Sequence, residues 1–450
     1  MLDSAEIVQR VEAFTLGLAA TDIPAPVLDQ AALLLLDTLG VMIGAHPMEA
    51  GVIARQSALQ LYGAGDPAEA APLVLDGRRV SRAGSAFAAA TQTDNLDAHD
   101  GYNPTKGHIG VAAVPALYAL THDVADLGGI EALAALVVCY EVAGRAGIAL
   151  HQSVSDYHTS GAWNALGVVA MAARLRGMSG AQLRHGFGIA EYHGPRSQMM
   201  REIATPTMLH DGSGMGALIG ISAAQMAALG FTGAPALTIE APEIAGCWTD
   251  LGTFWHVEHQ YIKPYPICRW AHAAIDAVQA LCAAHDLVAG NIARIEVHSF
   301  RNAAALFPGV PTTTSEAQYS LPFAVATMAV HGRIELEHIS GAGLRDPVVA
   351  DLTRRTTVIE TTQHERRYPE GRWADVTLHL TDGRVLTSED THARGGPEHP
   401  MGRDDIERKF FAFAAPVIGQ TRAGALREAV LALPGGAAFR TVTDLLSEAP

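Results

Sequence analysis

Lysine is almost absent from this chain. Of its 31 lysine and arginine side chains, lysine supplies three: Lys106, Lys263 and Lys409. Cysteine is scarce too, with four residues (Cys139, Cys247, Cys268, Cys282) and no CxxC spacing, which argues against a disulfide framework and against a zinc site. No apolar run reaches the roughly 18 residues of a membrane span. The most hydrophobic stretch, "AALLLLDTLGVMIGA", is interrupted by Asp37 and two glycines and reads as a buried core helix. The start "MLDSAEIVQRVEAF" has neither the basic flank nor the apolar centre of a secretory signal. With a net charge of −16, the chain repels phosphate backbones and anionic membrane surfaces. The expectation is a reduced, cytoplasmic protein that binds neither nucleic acid nor membrane. A small anionic ligand would need a local cationic pocket.

What the chain has in plenty is apolar residues, 49% of its 450, enough for a large core divided among two or three domains. Through about residue 230, segments such as "PVLDQAALLLLDTLGVMIGA", "IEALAALVVCYEVAGRAGIALH" and "AWNALGVVAMAARLRG" repeat apolar residues at steps of three and four, the period of helices. After about residue 285 the pattern changes. "IARIEVHSF" alternates like a half-buried strand, "TVIET" suits another, and "ADVTLHLTDGRVLTSED" reads as a hairpin around Asp382-Gly383. Helical periodicity returns from "RDDIERKFFAFAAPVI". The predicted fold is mainly α: an all-α body from 1–265 completed by 400–450, and a smaller α+β domain over 266–399.

Three clusters could carry chemistry. In "LDAHDGYNPTKGHIG", Asp97, Asp100, Lys106 and His108 crowd a loop whose glycines and proline break helices. The next helix starts near His108, so its free N–H groups offer an anion seat. The alternative is a plain polar loop with a capping aspartate. In "SDYHTSGAW", Tyr157 and His158 precede another helix, where a capped entrance would explain them equally well. In "YIKPYPICRWAHAAID", Lys263, Arg269 and His272 lie at the proposed domain boundary, where clefts form; here the bland reading is a linker and a cap. Lys409 reads as an ordinary amphipathic surface position. "DGSGMG" lacks the strand and GxGxxG spacing of a dinucleotide loop, and its small residues predict close helix packing instead. Carboxylates, imidazoles, lysines and arginine are the groups needed for acid–base work on a carboxylated carbon acid.

Taken in order, "LDAHDGYNPTKGHIG", "DYHTSGAWNALGVVAMAARL", "KPYPICRWAHAAID", "SEAQYSLPFAVA" and the late "KF" helix resemble the MmgE/PrpD family over nearly the whole chain. That family includes 2-methylcitrate dehydratase, cis-aconitate decarboxylase and iminodisuccinate epimerase. The resemblance implies that the smaller domain is a lid and that the particle is a homodimer using no metal or organic cofactor on a small carboxylate. It carries catalytic roles onto Asp97, His108, His158 and Lys263, with Lys106 added by its place in the loop. Substrate-binding roles fall on Tyr157, His210, Arg269, His272 and Tyr319. Two departures stand out: Thr207 where many members carry lysine, and Cys268 where histidine is expected. The missing lysine and "KGH" bring the epimerase branch close, and the two departures together keep a scaffold reading. The favoured reading is a lyase, by dehydration or decarboxylation; epimerisation is second, and a non-catalytic carboxylate-binding scaffold third.

Overall fold

The computed structural model describes residues 3–450, and the fold is mainly α-helical. The chain divides into two compact units. One comprises Met1–Met199, His210–Gln260 and Gly402–Pro450; the other comprises Met200–Leu209 and Tyr261–Met401.

The first unit is built around α1 (Ala25–Gly44), α2 (Arg82–Asp94), α3 (Gly110–Thr121), α4 (Gly129–Ser153), α5 (Gly161–Leu175) and α6 (Ser213–Ala228). Pro24 at the cap and Pro26 in the first turn start α1, since proline fits a helix entrance where no N–H partner is needed. Leu34, Leu35, Leu36 and Leu39 are all at most 1% exposed. Apolar residues on every face mean a helix enclosed on every face, and each buried leucine stabilises by about 1.5–3 kcal/mol. By length and composition α1 and α4 could cross a membrane, but 83% and 94% of their apolar windows are buried inside the fold. They are core helices.

Small residues set the spacing around α6. A Cβ at Gly220 would sit 2.5 Å from Val168 of α5, and one at Gly214 would collide with Thr91 of α2. This close approach is what "DGSGMG" predicts. The all-α expectation needs one correction. Ala70–Pro72 (β1) and Arg79–Ser81 (β2) form an antiparallel pair, because three-residue strands give too little alternation to register as a period.

The second unit carries α7 (His272–Ala284), α8 (Leu321–His331) and α9 (Pro347–Arg354) beside a sheet. Its strands are β3 (Ile292–Ser299), β4 (Thr356–Glu360), β5 (Trp373–Leu380), β6 (Val385–Thr387) and β7 (Thr391–His392), in the order β4-β3-β5-β6, with β7 also on β5. β3 and β4 run parallel and the other pairs antiparallel. Val297, Val376 and Leu378 are fully buried on the face that period-2 alternation turns inward, and α7 packs on β5. Gly383 turns the β5–β6 hairpin at φ 88°.

The chain then returns to the first unit as α10 (Arg403–Ile418), which packs on α1. Here a second correction arises: Lys409 is not a surface residue but is 8% exposed.

Candidate active site

The loop from Asn95 to Ile109 joins α2 to α3, and its backbone is unusual twice over. Asp97 and Lys106 adopt left-handed φ of 52° and 55°, a conformation that costs a non-glycine residue about 1–2 kcal/mol. Between them, the Tyr102 N–H donates to the Gly107 carbonyl at 2.7 Å and closes a tight loop. These bends turn three side chains to one place. Asp97, His99 and His108 each present a ligand-type atom within 4.8 Å of one another, and all three residues are buried. The His99 and His108 rings meet edge to face at 4.6 Å. Such a donor set could hold a divalent ion.

His108 is oriented from both sides. Its Nδ1 lies 2.6 Å from the carbonyl of Asp100; a carbonyl only accepts, so Nδ1 carries the proton and Nε2 is the acceptor nitrogen of the neutral ring. Nε2 lies 3.6 Å from Asp211 Oδ2. The His108 N–H donates to Ser160 Oγ at 2.9 Å, and that hydroxyl donates onward to Asp211 Oδ1 at 2.7 Å. Ser160 is the residue directly before α5, and Asp94 Oδ2 accepts from the Ser213 N–H at the start of α6 at 3.0 Å. The N-termini of α3, α5 and α6 therefore supply N–H groups and favourable dipoles to a region rich in buried carboxylate. Burial, and then the charge of Asp211, hold the Asp94 carboxyl well above its ordinary range. Burial also lifts Asp100 to about 7, opposed by the Tyr140 hydroxyl that donates to it at 2.8 Å. Gly110 is required beside this pair. A Cβ there would run into Tyr140 Oη and Asp100 Oδ1 and sit 2.9 Å from Thr38 Oγ1.

A second group adjoins the loop. The Lys106 ammonium lies 4.5 Å from the centre of the Tyr157 ring, and the Tyr157 hydroxyl donates to the Lys106 carbonyl. His151 stands edge to face with Tyr157 at 5.5 Å and accepts from the His158 N–H at 3.2 Å. Burial, with Lys106 second, lowers His151 to about 4, so it is neutral at pH 7. His158 Nδ1 is buried and has no hydrogen-bond partner among the described residues. His210, 3% exposed, directly precedes Asp211 and takes a left-handed φ of 46°.

The other expected residues lie in the second unit. Lys263 and His272 are fully buried. His272 Nε2 donates to the Ile267 carbonyl at 2.9 Å, and burial, followed by the charges of Arg269 and Lys263, holds its pKa well below the ordinary value. The Arg269 guanidinium donates to the carbonyls of Arg394 and Ala393 at 2.6 and 2.9 Å, over the Tyr261 ring. Tyr319 is 1% exposed, in a segment tied to this one by the Cys268 N–H donating to Gln318.

The structure thus brings Asp97 to His108 and Lys106 to Tyr157 in the first unit, and Lys263, Arg269 and His272 together in the second. Sequence reasoning missed His99, Asp94, Ser160 and Asp211 as members of the first cluster. Ser160 carries the one readable signal, a hydroxyl residue just before a helix.

The comparisons agree on one family. The MmgE/PrpD N-terminal domain matches residues 9–245 and the MmgE/PrpD C-terminal domain residues 265–434. Cis-aconitate decarboxylase of Aspergillus terreus is 24% identical over 464 residues, covering 93% of this chain and 91% of that protein. Cis-aconitate decarboxylase-like protein oryM of Aspergillus oryzae is also 24% identical, covering 96% of this chain and 95% of that protein.

Proposed function

The chain belongs to the MmgE/PrpD family, and on that premise we propose that it is a lyase acting on a small di- or tricarboxylate at the carbon next to a carboxylate. The observation that carries this reading is His108: Nδ1 is tied to a carbonyl, so Nε2 is the basic nitrogen, with Asp97 and His99 beside it. Similarity over more than nine-tenths of both chains to a protein named cis-aconitate decarboxylase supports decarboxylation first.

In that reaction the bond from carbon to the departing carboxylate breaks and releases CO₂. Its electron pair enters the conjugated system as an enolate-like dianion, stabilised by cations and helix N-termini aimed at its oxygens. Protonated His108 Nε2 then delivers a proton to carbon. The net change exchanges CO₂ for H⁺ and needs no oxidant. For dehydration of a 2-methylcitrate-type substrate, neutral His108 instead removes the proton and the β-hydroxyl leaves as water, with His158 as the acid. A positioned acid or base contributes about 10²–10⁴-fold. Lys106 supplies positive charge on the loop.

Epimerisation of an iminodisuccinate-like dicarboxylate is the second reading. It is favoured by Lys106 and Tyr157, which stand together and suit proton return from the other face. The proposal also takes from the family resemblance a lid role for residues 266–399, a homodimeric particle in the cytoplasm, and catalysis without metal. EDTA-insensitive turnover and sedimentation at twice the 47.3 kDa chain mass are the expected results.

The test of the reaction is proton NMR in D₂O with citrate, 2-methylcitrate, cis-aconitate and iminodisuccinate. New vinyl signals with loss of substrate identify the lyase and its substrate. Deuterium uptake without elimination identifies the epimerase. No change in any of the four leaves only the scaffold reading.

A further inference from the structure

We infer that Lys409 is a positioning residue: its ammonium, delivered by α10, holds the Ala98 carbonyl and thereby fixes the segment that sets Asp97 and His99 beside His108. The inference rests on the reading of that cluster as the reacting site. Lys409 Nζ lies 2.6 Å from the Ala98 oxygen and 2.7 Å from Asp37 Oδ1 of α1. It is 311 residues from Ala98 in sequence, so only the return of the chain as α10 makes this contact.

The place it grips matters. Ala98 is flanked by Asp97, held left-handed, and by His99. Two residues on, the Asp100 carbonyl fixes the tautomer of His108. One grip on Ala98 therefore sits at the middle of the stretch from which all three side chains take their bearings. Other ties, among them the Asp97 N–H to Asp94 and the Tyr140 hydroxyl to Asp100, hold its two ends.

Chemistry explains the residue type. An ammonium radiates donors from one point and can serve a carbonyl and a carboxylate lying in different directions, whereas a guanidinium is a planar fork suited to paired acceptors. In a chain that otherwise uses arginine, lysine here answers a geometric need. Stability is a poor explanation for keeping a charge in the core. A buried ion pair is often no more stabilising than apolar residues of the same volume, while removing one partner alone is costly.

That contrast supplies the experiment. The double variant Lys409→Met/Asp37→Leu replaces the ion pair by apolar groups and removes the donor to Ala98. It is expected to melt near the wild-type temperature, with kcat for whichever carboxylate the wild type consumes reduced on the order of 10²-fold, the cost of a misplacement near 1 Å, and KM little changed. Hydrogen exchange read by mass spectrometry is expected to accelerate in peptides covering residues 95–101 and not in those from β3–β5. A folded double variant with wild-type kcat, or with unchanged exchange over 95–101, overturns the inference. If the double variant does not fold, Lys409→Gln/Asp37→Asn takes its place under the same criteria. That pair keeps an amide link between the helices but ends one bond short of Ala98. If the wild type turns over no carboxylate, the functional reading fails by itself and hydrogen exchange alone decides whether Lys409 grips the loop.

Discussion

The two units contain nearly the same kinds of polar residue and use them differently. In the first, Asp97, His99 and His108 converge with His108 Nε2 turned to Asp211, and the surrounding carboxylates sit at helix N-termini. In the second, the Arg269 guanidinium is engaged by the Ala393 and Arg394 carbonyls and the His272 Nε2 by that of Ile267. Imidazole thus joins a buried cluster with carboxylates in one setting and braces the backbone in the other. What separates the settings is the backbone. Left-handed residues and converging helix starts leave side-chain atoms directed at a common point, whereas a carbonyl that meets a side chain closes its account.

The largest effect is expected where that backbone would be disturbed most. Gly110→Ala should force a methyl into Tyr140 and Asp100 and cost about 3 kcal/mol or more, the upper range for overpacking; chemical denaturation would measure it. Asp211→Asn keeps the shape of the Ser160 network but removes the charge facing His108 Nε2. Its kcat should fall on the order of 10²-fold, as for a catalytic group displaced by about 1 Å, with the fold intact by circular dichroism. Arg269→Lys should do the reverse. It loses a charge-assisted bond, about 1.5–3 kcal/mol, seen in the melting temperature, while kcat stays near wild type. A large loss of kcat at Arg269 with no loss of stability would erase the contrast between the units.

A further effect is in pH dependence. Asp100 is raised from 3.8 to about 7, so between those values the folded state holds a proton that the unfolded state has released. Stability from this group is therefore greatest below about pH 4 and declines as pH rises to about 7. Asp100→Asn should flatten the fall in stability over that window, measured by denaturation at pH 5 and pH 8.

Much of this was legible in the chain. The strands β3, β4 and β5–β6 follow from alternation, and the loop between α2 and α3 follows from Gly101, Pro104 and Gly107. Asp211 and Ser160 were not legible as partners of His108, because they lie 103 and 52 residues away and meet it only through the packing of α3, α5 and α6. Lys409 misled for a different reason. Its place after Asp404, Asp405 and Glu407 looks like a solvated helix face, and nothing local reveals that Asp37 waits on α1. Residue type announces chemistry, but only topology says which atoms remain free for it.

The most direct test of placing the reaction in the α2–α3 loop is the turnover of His108→Ala. Wild type and variant would be compared by proton NMR in D₂O on whichever carboxylate the wild type consumes, with thermal melts as the check on folding. A folded variant whose substrate signals persist, with neither vinyl product nor deuterium at the α-carbon, is the predicted result. A folded variant that consumes the substrate at the wild-type rate would contradict the account and move the search for the base away from this loop.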